Sequence, residues 1–292
     1  MTDSEERIRW RTGQRFEFIE FMLFWEGGIK RADIADRFGV STPQATNDLN
    51  AYRDKAPDNL HYDSSRKRFL PTPDFQPKFL KINADRYLAQ LKAITEGILK
   101  IEDTFFPESP PVDAMPIPRR FVDPLVLRRL VAATRDRRSI EILYQSMSRT
   151  RSEPIWRRIT PHAFGHDGLR WHVRAYCHVD NDHADFILSR CREVRGEDKP
   201  GAAPDADAQW NTYFDVVLEP NPELTESQRN TIALDYNMVD GRATVSVRRA
   251  MLYYFDKRLR LDVARSSDRP AETPVVVSNR AEFDRALNRL SK

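Results

Sequence analysis

The segment RADIADRFGVSTPQATNDLNAYRD, residues 31–54, joins two short helical patterns at a single glycine. Apolar residues recur at helical spacing up to Phe38, and Gly39 then supplies a tight turn. Ser41 is a favourable N-cap for the second helix, and Pro43 lies in its first turn, where a missing N–H costs little. The segment therefore predicts a helix-turn-helix.

The second helix of this pair has a polar first turn and an apolar stripe behind it. Ala45, Leu49 and Tyr52 recur at helical spacing and predict the buried face. In a helix-turn-helix, the second helix lies in the DNA major groove and its N-terminal residues meet base edges. Gln and Asn side chains can pair bidentately with adenine, which is worth ~1–3 kcal/mol of discrimination. The predicted base contacts are Thr42, Gln44, Thr46 and Asn47.

The stretch LHYDSSRKRFL, residues 60–70, predicts a strand, a turn with its tip at 63–65, and a second strand, which together form a wing. Phosphate contacts give salt-dependent affinity without sequence preference. We predict this role for Ser41, Arg53, Arg66, Lys67 and Arg68. Two alternatives stay open: a surface helix whose polar start is only a cap, and a helix-turn-helix that docks another protein.

The rest of the chain predicts an α+β protein in several parts. A helix at 83–106 precedes the proline-rich stretch PESPPVDAMPIP, and a helix at 123–138 leads into short strands typical of a small barrel. Strands and helices then alternate, ending with a helix at 280–290. The predicted domains are a winged helix-turn-helix at 1–75, a helical linker with the proline-rich break at 76–135, a β-barrel at 136–198 and a C-terminal α+β module at 209–292.

The predicted strand GLRWHVRAYCH, residues 168–178, has two different faces because alternate residues point to opposite sides. The predicted core face consists of Trp171, Val173 and Ala175. The opposite face consists of Arg170, His172, Arg174 and Tyr176, and such a set suits an anion with a flat ring. A solvated outer face of the barrel is the alternative. With neighbouring strands, the predicted ligand-binding residues are Tyr144, Ser146, Arg158, His162, His172, Arg174, Tyr176 and Arg190.

Other site classes have weaker signals. His162 and His166 have a spacing that chelates metals on helices, but Pro161 and Gly165 argue against a helix there. No Cys-x2-Cys, His-Glu-x2-His, Gly-x-Ser-x-Gly, P-loop or Gly-x-Gly-x-x-Gly pattern occurs. We therefore expect no metal, no cofactor and no enzymatic activity, although a nuclease built from scattered carboxylates would escape such patterns.

Composition and charge indicate the cellular location of the protein and the distribution of its basic residues. The chain has 292 residues, two cysteines and no apolar run near the ~18 residues that cross a bilayer, and its first residues are too polar for a signal peptide. We therefore expect a cytoplasmic protein without membrane contact. Residues 119–200 carry 17 basic and 11 acidic groups, which makes the middle of the chain its basic part at +6.

Several segments together carry a family resemblance. FGVSTPQATNDLNAY, NLHYDSSRKRF, RWHVRAYC and RRAMLYYFDKRL resemble the WYL-domain bacterial transcription regulators, in particular the BrxR/CapW group found with phage-defence systems. The resemblance implies a central WYL domain with an SH3/Sm-like β-barrel that senses a nucleotide or nucleic-acid effector. The name-giving Trp-Tyr-Leu stands here as Trp171-His172-Val173, so the effector of other WYL proteins does not carry over.

The resemblance also implies a homodimer formed by the C-terminal module. The apolar segment MLYYF, 251–255, either packs in the core or buries against the partner. A two-fold dimer predicts an inverted-repeat operator in double-stranded DNA. The resulting hypothesis is a sequence-specific repressor of a phage-defence operon, relieved by an effector in the WYL domain. The alternatives are a non-specific nucleic-acid-binding protein and a nuclease-type enzyme.

Overall fold

The computed structural model describes residues 3–147, 153–264 and 269–288, with side chains from residue 12 onward. The chain forms two units, residues 1–116 and residues 117–292. Within the described ranges no helix is long and apolar enough to cross a membrane. The helices are α1 (Asp3–Trp25), α2 (Arg31–Phe38), α3 (Thr42–Lys55), α4 (Ala84–Thr95), α5 (Pro124–Arg135), α6 (Ala208–Asn211), α7 (Glu226–Asp235), α8 (Leu252–Arg258) and α9 (Arg280–Asn288). The strands are β1 (Leu60–Asp63), β2 (Arg68–Pro71), β3 (Ser139–Tyr144), β4 (Ile155–His166), β5 (Trp171–Cys177), β6 (Asp182–Ile187), β7 (Cys191–Asp198), β8 (Tyr213–Pro220), β9 (Ala243–Arg248) and β10 (Val275–Val277).

The first unit is a winged helix-turn-helix, as predicted. Helices α1, α2 and α3 enclose an aromatic-rich core, and β1 pairs antiparallel with β2 to form the wing. Gly39 follows α2 in the left-handed conformation at φ +61°, which glycine adopts more readily than residues with a Cβ atom. The Ser41 hydroxyl caps α3 by accepting from the Gln44 N–H at 3.4 Å. The local signals in residues 31–54 therefore produce the predicted turn.

Two element boundaries in this unit differ from the sequence prediction. The wing turn covers residues 64–67 and contains both Arg66 and Lys67, whereas the second strand begins only at Arg68. Helix α4 ends at Thr95 instead of residue 106, because Gly97 follows it at φ +67° and interrupts the helix.

Glu20 organises this unit from the C-terminal half of α1, where its side chain is fully buried. Its carboxylate accepts the Tyr52 hydroxyl of α3 at 3.0 Å. It also accepts three backbone N–H groups at 2.6–2.8 Å, from Lys78, Phe79 and Leu80. A buried carboxylate is costly unless such donors surround it. The cluster therefore holds α3 and the segment after the wing to α1.

The second unit contains an antiparallel five-stranded sheet with the order β6-β5-β4-β3-β7. Helix α5 packs against it over a core that includes Ile140, Ile159 and Val173. A short 3-10 turn at Leu188–Arg190 separates β6 from β7. In the described part of the chain β6 and β7 are sheet edges that do not pair with each other, so the sheet is not closed into the predicted barrel.

The C-terminal part of this unit is the predicted α+β module. Its sheet has the order β10-β8-β9, and α8 and α9 contact it over a core that includes Leu252 and Phe283. Leu252 is fully buried, so the MLYYF segment contributes to the core, while Tyr253 is exposed. The helix predicted over 280–290 is α9, and residues 289 and 290 lie outside the described ranges.

The Glu20 cluster predicts that removing the Tyr52 hydroxyl destabilises the first unit. Burial, aided by the Glu20 carboxylate, raises the pKa of Tyr52, so the hydroxyl stays protonated and donates. Tyr52→Phe removes one donor from a buried charge and is expected to cost about 1–3 kcal/mol of unfolding free energy. Thermal unfolding followed by circular dichroism measures this cost. The control is Tyr62→Phe on the exposed wing, and equal stability of the two variants would contradict the prediction.

Candidate functional site

The exposed face of α3 carries most of the predicted base-reading residues. Thr42, Gln44 and Asn47 are exposed, and Thr46 is half-buried. Ala45, Leu49 and Tyr52 are buried in the core of the unit, as their spacing predicts. The polar first turn of α3 is therefore accessible, while its apolar stripe is held in place.

Two of these side chains are already oriented by neighbours on the helix. The Gln44 amide donates to Asp48 at 3.1 Å, and Asp48 is itself buried and pairs with Arg15 of α1 at 2.7 Å. The Thr46 hydroxyl donates to the Thr42 carbonyl at 2.9 Å, which leaves the Thr46 oxygen as an acceptor. Gln44 is thus held at a defined position by a chain of contacts that reaches α1.

Asn50 is a further exposed polar residue on α3 that the sequence reasoning omitted. It lies one helical turn after Asn47 and accepts a hydrogen bond from Arg53 at 3.2 Å. The i, i+3 spacing from Asn47 was the signal that places it on the same face. Asn50 therefore extends the polar surface of α3 and orients the Arg53 guanidinium.

The wing presents only two of its three clustered basic residues. Arg66 and Lys67 are exposed on the turn, which Asp63 stabilises by accepting the backbone N–H groups of Ser65 and Arg66 at 2.8 and 3.0 Å. Arg68 differs from the prediction. It is half-buried, and its guanidinium donates to the backbone carbonyls of Gly28 and Glu26, which braces the wing against the turn after α1.

Arg31 is a second residue that the sequence reasoning omitted. It is exposed at the start of α2, and its guanidinium carbon lies 5.9 Å from the Tyr62 ring centre and 5.6 Å from the Phe69 ring centre. These cation–π contacts place a positive charge beside the wing. No sequence signal links Arg31 to the wing, because the contact depends on tertiary packing.

The polar face of β5 is covered instead of solvated. His172 is 2% exposed and Arg174 is 7% exposed, whereas Trp171, predicted in the core, is 54% exposed. Val173 and Ala175 are buried in the core, as predicted. Alternation along the strand is therefore correct from residue 172 onward, and Trp171 lies outside it because it is the first residue after the β4–β5 turn.

Asp207 neutralises much of this face. Its carboxylate, 1% exposed, accepts Arg174 Nε at 2.7 Å and Nη2 at 3.1 Å. It also lies 3.0 Å from His162 Nε2 and accepts the Trp210 N–H at 3.1 Å as the N-cap of α6. Burial alone would raise the pKa of Asp207, but the bonds from His162 and Arg174 outweigh it and hold that pKa far below its usual range.

A second carboxylate cluster covers the other end of β5. Asp167 Oδ2 lies 3.0 Å from His172 Nε2 and accepts Arg170 Nε at 2.8 Å. The His172 ring packs on Tyr254 of α8 at 4.8 Å, and the Tyr254 hydroxyl donates to Asp185 at 3.1 Å. The face predicted to bind an anion is thus filled by acidic and aromatic side chains of the same unit.

Of the remaining predicted ligand residues, Tyr176 shares this face of β5, and its ring centre lies 5.4 Å from that of His183. Tyr144 lies in the sheet core, where its ring packs on Phe186 and its oxygen accepts the Ile187 N–H at 3.3 Å. Arg158 is exposed and pairs with Asp198 at 2.8 Å, and the Tyr176 hydroxyl donates to Asn181 at 3.3 Å. Ser146 and Arg190 follow β3 and β6 and are half-buried. Of the eight predicted residues, His162, Arg174 and Tyr176 therefore lie together around Asp207 and His183, whereas Tyr144 lies in the sheet core.

A cleft of about 360 Å³ opens beside this face. It is lined by Arg137, Thr160, Pro161, His162 and residues 200–204. His162 is the predicted ligand residue that reaches it. The cleft therefore connects solvent to the edge of the Asp207 cluster.

Three family models match successive parts of the chain. They describe the BrxR transcriptional regulator winged helix-turn-helix domain at residues 11–93, the WYL domain at residues 125–195, and the BrxR transcriptional regulator C-terminal dimerization domain at residues 213–283. These matches cover the helix-turn-helix, the five-stranded sheet and the C-terminal module.

Named relatives match over nearly the whole chain. A DNA-binding transcriptional repressor CapW of Stenotrophomonas maltophilia is 37% identical over 96% of this chain and 94% of its own length. Proteins of the same name from Escherichia coli strain KTE188 and Pseudomonas aeruginosa are 35% and 37% identical, each over 94% of this chain and 91% of their own length. A solved structure of proteasome accessory factor B/C of Arthrobacter aurescens aligns with 97% of this chain at 17% identity and a TM-score of 0.25, and this chain spans 49% of its length.

Asp167 predicts a pH-dependent contribution to stability. Burial would raise the pKa of Asp167, but hydrogen bonds from His172, Leu169 and Arg170 outweigh it and lower that pKa well below its usual range. The folded pKa is therefore below the unfolded value of ~3.9, so the stabilisation is fully present above pH ~4 and is lost as the pH falls. Asp167→Asn is expected to cost about 1–3 kcal/mol at pH 7 and progressively less below pH 4.

Thermal unfolding at pH values between 7 and 3 measures this difference between the native chain and the variant. The matched control is Asp205→Asn, which changes an exposed aspartate of the same unit. A difference for Asp167→Asn that stays constant across this range would contradict the prediction.

Proposed function

The chain belongs to the BrxR/CapW family of WYL-domain transcriptional regulators, and from this premise we propose that it is a sequence-specific DNA-binding repressor. The observation that carries the proposal is the exposed polar first turn of α3 on a helix held by Glu20 and Tyr52. Base reading requires side chains that reach the major groove from a fixed position. A helix that became ordered only on binding would lose conformational entropy, and this loss would weaken binding.

Base contacts come from α3 alone, whereas phosphate contacts come from both ends of α3 and from the wing. Thr42, Gln44, Thr46 and Asn47 read base edges, with Asn50 as an additional candidate. Ser41, Arg53, Arg66 and Lys67 contact phosphates, and Arg31 adds charge beside the wing. The exposure of Arg66 and Lys67 on a tight turn supports their assignment to phosphates, since their side chains can reach the DNA backbone while the wing stays folded.

The repressor acts as a homodimer through its C-terminal module. The model match to a C-terminal dimerization domain supports this, and so do exposed apolar side chains around α7 and the edge strand β9. Leu234 is 82% exposed there, and Val239 and Val245 follow toward and along β9. A two-fold dimer binds an inverted-repeat operator, since its half-sites mirror the symmetry of the protein.

An anionic nucleotide or nucleic-acid strand acts as effector through the WYL domain and relieves repression of a phage-defence operon. Family membership supports the defence setting. The buried Arg174 and His172 of β5 already have carboxylate partners, so an anion has to displace Asp167, Asp185 or Asp207 or bind first in the cleft beside His162. Displacement of Asp207 by a ligand would move the segment that carries Asp207 and leads into the C-terminal module. The effector then shifts the equilibrium between the DNA-bound and DNA-free arrangements of the repressor by binding one of them more tightly.

Base-reading variants test the proposed function. The probe is the DNA directly upstream of the gene that encodes the chain, compared with scrambled DNA of equal length in a fluorescence anisotropy titration across a salt series. The native protein is expected to prefer the upstream DNA by at least ~10³-fold. Gln44→Ala and Asn47→Ala are each expected to lose about 1–3 kcal/mol of this preference, about 5- to 150-fold.

Two further variants separate base from phosphate contacts. Lys67→Ala is expected to weaken both DNAs alike and to reduce the salt slope by about one. Asn288→Ala, an exposed asparagine at the end of α9, is the control that leaves both affinities unchanged. Equal, steeply salt-dependent binding to both DNAs would replace the proposal with non-specific nucleic-acid binding, and absence of binding would leave a protein-docking role.

The proposed dimer predicts a specific effect at Leu234. Sedimentation velocity across a concentration series is expected to give twice the 34.1 kDa mass of one chain. Leu234→Glu places a charge in the apolar surface and is expected to weaken the dimer at least ~10-fold, which corresponds to about 1.4 kcal/mol. Ile98→Glu, at an apolar position of the first unit that is 70% exposed, is the control. A monomer at all concentrations, or a dimer insensitive to Leu234→Glu, would contradict this part of the proposal.

A further inference from the structure

Three side chains from separate segments meet beside the cleft of the second unit. They are His162 on β4, His183 on β6 and Asp207 before α6, and one ligand atom from each lies within 4.8 Å of the other two. The His162 and His183 rings meet edge to face with centres 5.7 Å apart. The proposed repressor function assigns no role to His183. The chemistry of this cluster is therefore open.

We propose that His162, His183 and Asp207 form a binding site for a divalent transition metal, with Zn²⁺ as the preferred ion. Two imidazole nitrogens and one carboxylate oxygen are a donor set that zinc accepts, with a fourth position left for water or a ligand. Two ligand atoms at zinc distances of 2.0–2.1 Å lie about 3.3 Å apart in a tetrahedral site. His162 Nε2 and Asp207 Oδ2 are already 3.0 Å apart.

The site needs only a small adjustment to close around an ion. His162 and Asp207 are almost completely buried and fixed, whereas His183 is half-buried on the edge strand β6. His183 is therefore the ligand that can move inward. The cleft that His162 lines provides a path by which a hydrated ion reaches the cluster.

A cation in this position lies close to the positively charged guanidinium of Arg174. Its guanidinium donates to both oxygens of Asp207, at 2.7 Å to Oδ2 and 3.1 Å to Oδ1. A carboxylate has about four lone-pair positions, so Oδ2 can keep the Arg174 bond and give its other lone pair to the metal. The ion then replaces the proton between His162 Nε2 and Asp207, which moves to His162 Nδ1 or to solvent. Arg174 and the Trp210 N–H remain as outer partners that orient the carboxylate.

A metal in this position would have a structural consequence beyond the ion itself. Its ligands join two strands of the five-stranded sheet to the segment that enters the C-terminal module. Because the ion would bind only the folded arrangement, zinc would stabilise this junction by mass action. The inference does not depend on DNA binding and stands or falls separately from the proposed function.

The test is zinc binding by the full chain after treatment with a chelator. Equilibrium dialysis against Zn²⁺ with elemental analysis is expected to show one bound equivalent and a raised Tm. His183→Ala removes the most accessible ligand and is expected to weaken binding at least ~10-fold without unfolding the protein. His166→Ala, an exposed histidine at the end of β4, is the matched control and is expected to bind like the native chain.

Substitution with Co²⁺ provides a second measurement. Strong visible absorption is expected from a four-coordinate site in the native chain and His166→Ala, and is expected to be lost in His183→Ala. Zinc affinity that is the same in the native chain and His183→Ala would overturn the assignment, because the ion would then be held elsewhere. Absence of a bound equivalent in the native chain would overturn it as well.

Discussion

A carboxylate removed from water must be surrounded by donors, and this constraint organises both units of the protein. In the first unit Glu20 accepts the Tyr52 hydroxyl and three backbone N–H groups, which joins α1, α3 and the segment after the wing. In the second unit Asp207 accepts Arg174, lies against His162 and caps α6. Each carboxylate lies where separate chain segments meet, so neither arrangement forms unless its neighbours are in place.

The two clusters have different relations to function. Glu20 is remote from the exposed face of α3, and its role is to make that face a rigid surface for DNA. Asp207 lies within the basic face of the WYL sheet and occupies the guanidinium fork that would otherwise be open to an anion. Any ligand of that face competes with a side chain of the same protein. Such competition is how binding can be coupled to a rearrangement, since the displaced segment leads into β8 of the C-terminal module.

Local patterns predicted the helix-turn-helix well because its signals are short-range. A glycine in the left-handed conformation, a serine N-cap and an apolar stripe act within a few residues of one another. The same reasoning missed the position of the wing turn and the end of α4, where single residues decide a boundary. It also assigned Arg68 to DNA, because nothing near it in the chain indicates that the carbonyls of Glu26 and Gly28 take its guanidinium. The open sheet differs from the predicted barrel because closure depends on pairing between edge strands far apart in the chain.

The amino-acid sequence by itself determined the helix-turn-helix, the order of the three folded parts, the two-faced pattern of β5 and the resemblance to WYL regulators, since all of these depend on local spacing. The tertiary structure decided which of those faces meet solvent. His172 and Arg174 alternate as predicted, but Asp167 of the preceding turn, Asp185 of β6 and Asp207 before α6 cover them. His162 and His183 likewise become neighbours only because β4 and β6 flank the same strand. Electrostatic partners act across a few ångströms of space regardless of their separation along the chain, and that distance exists only once the chain has folded.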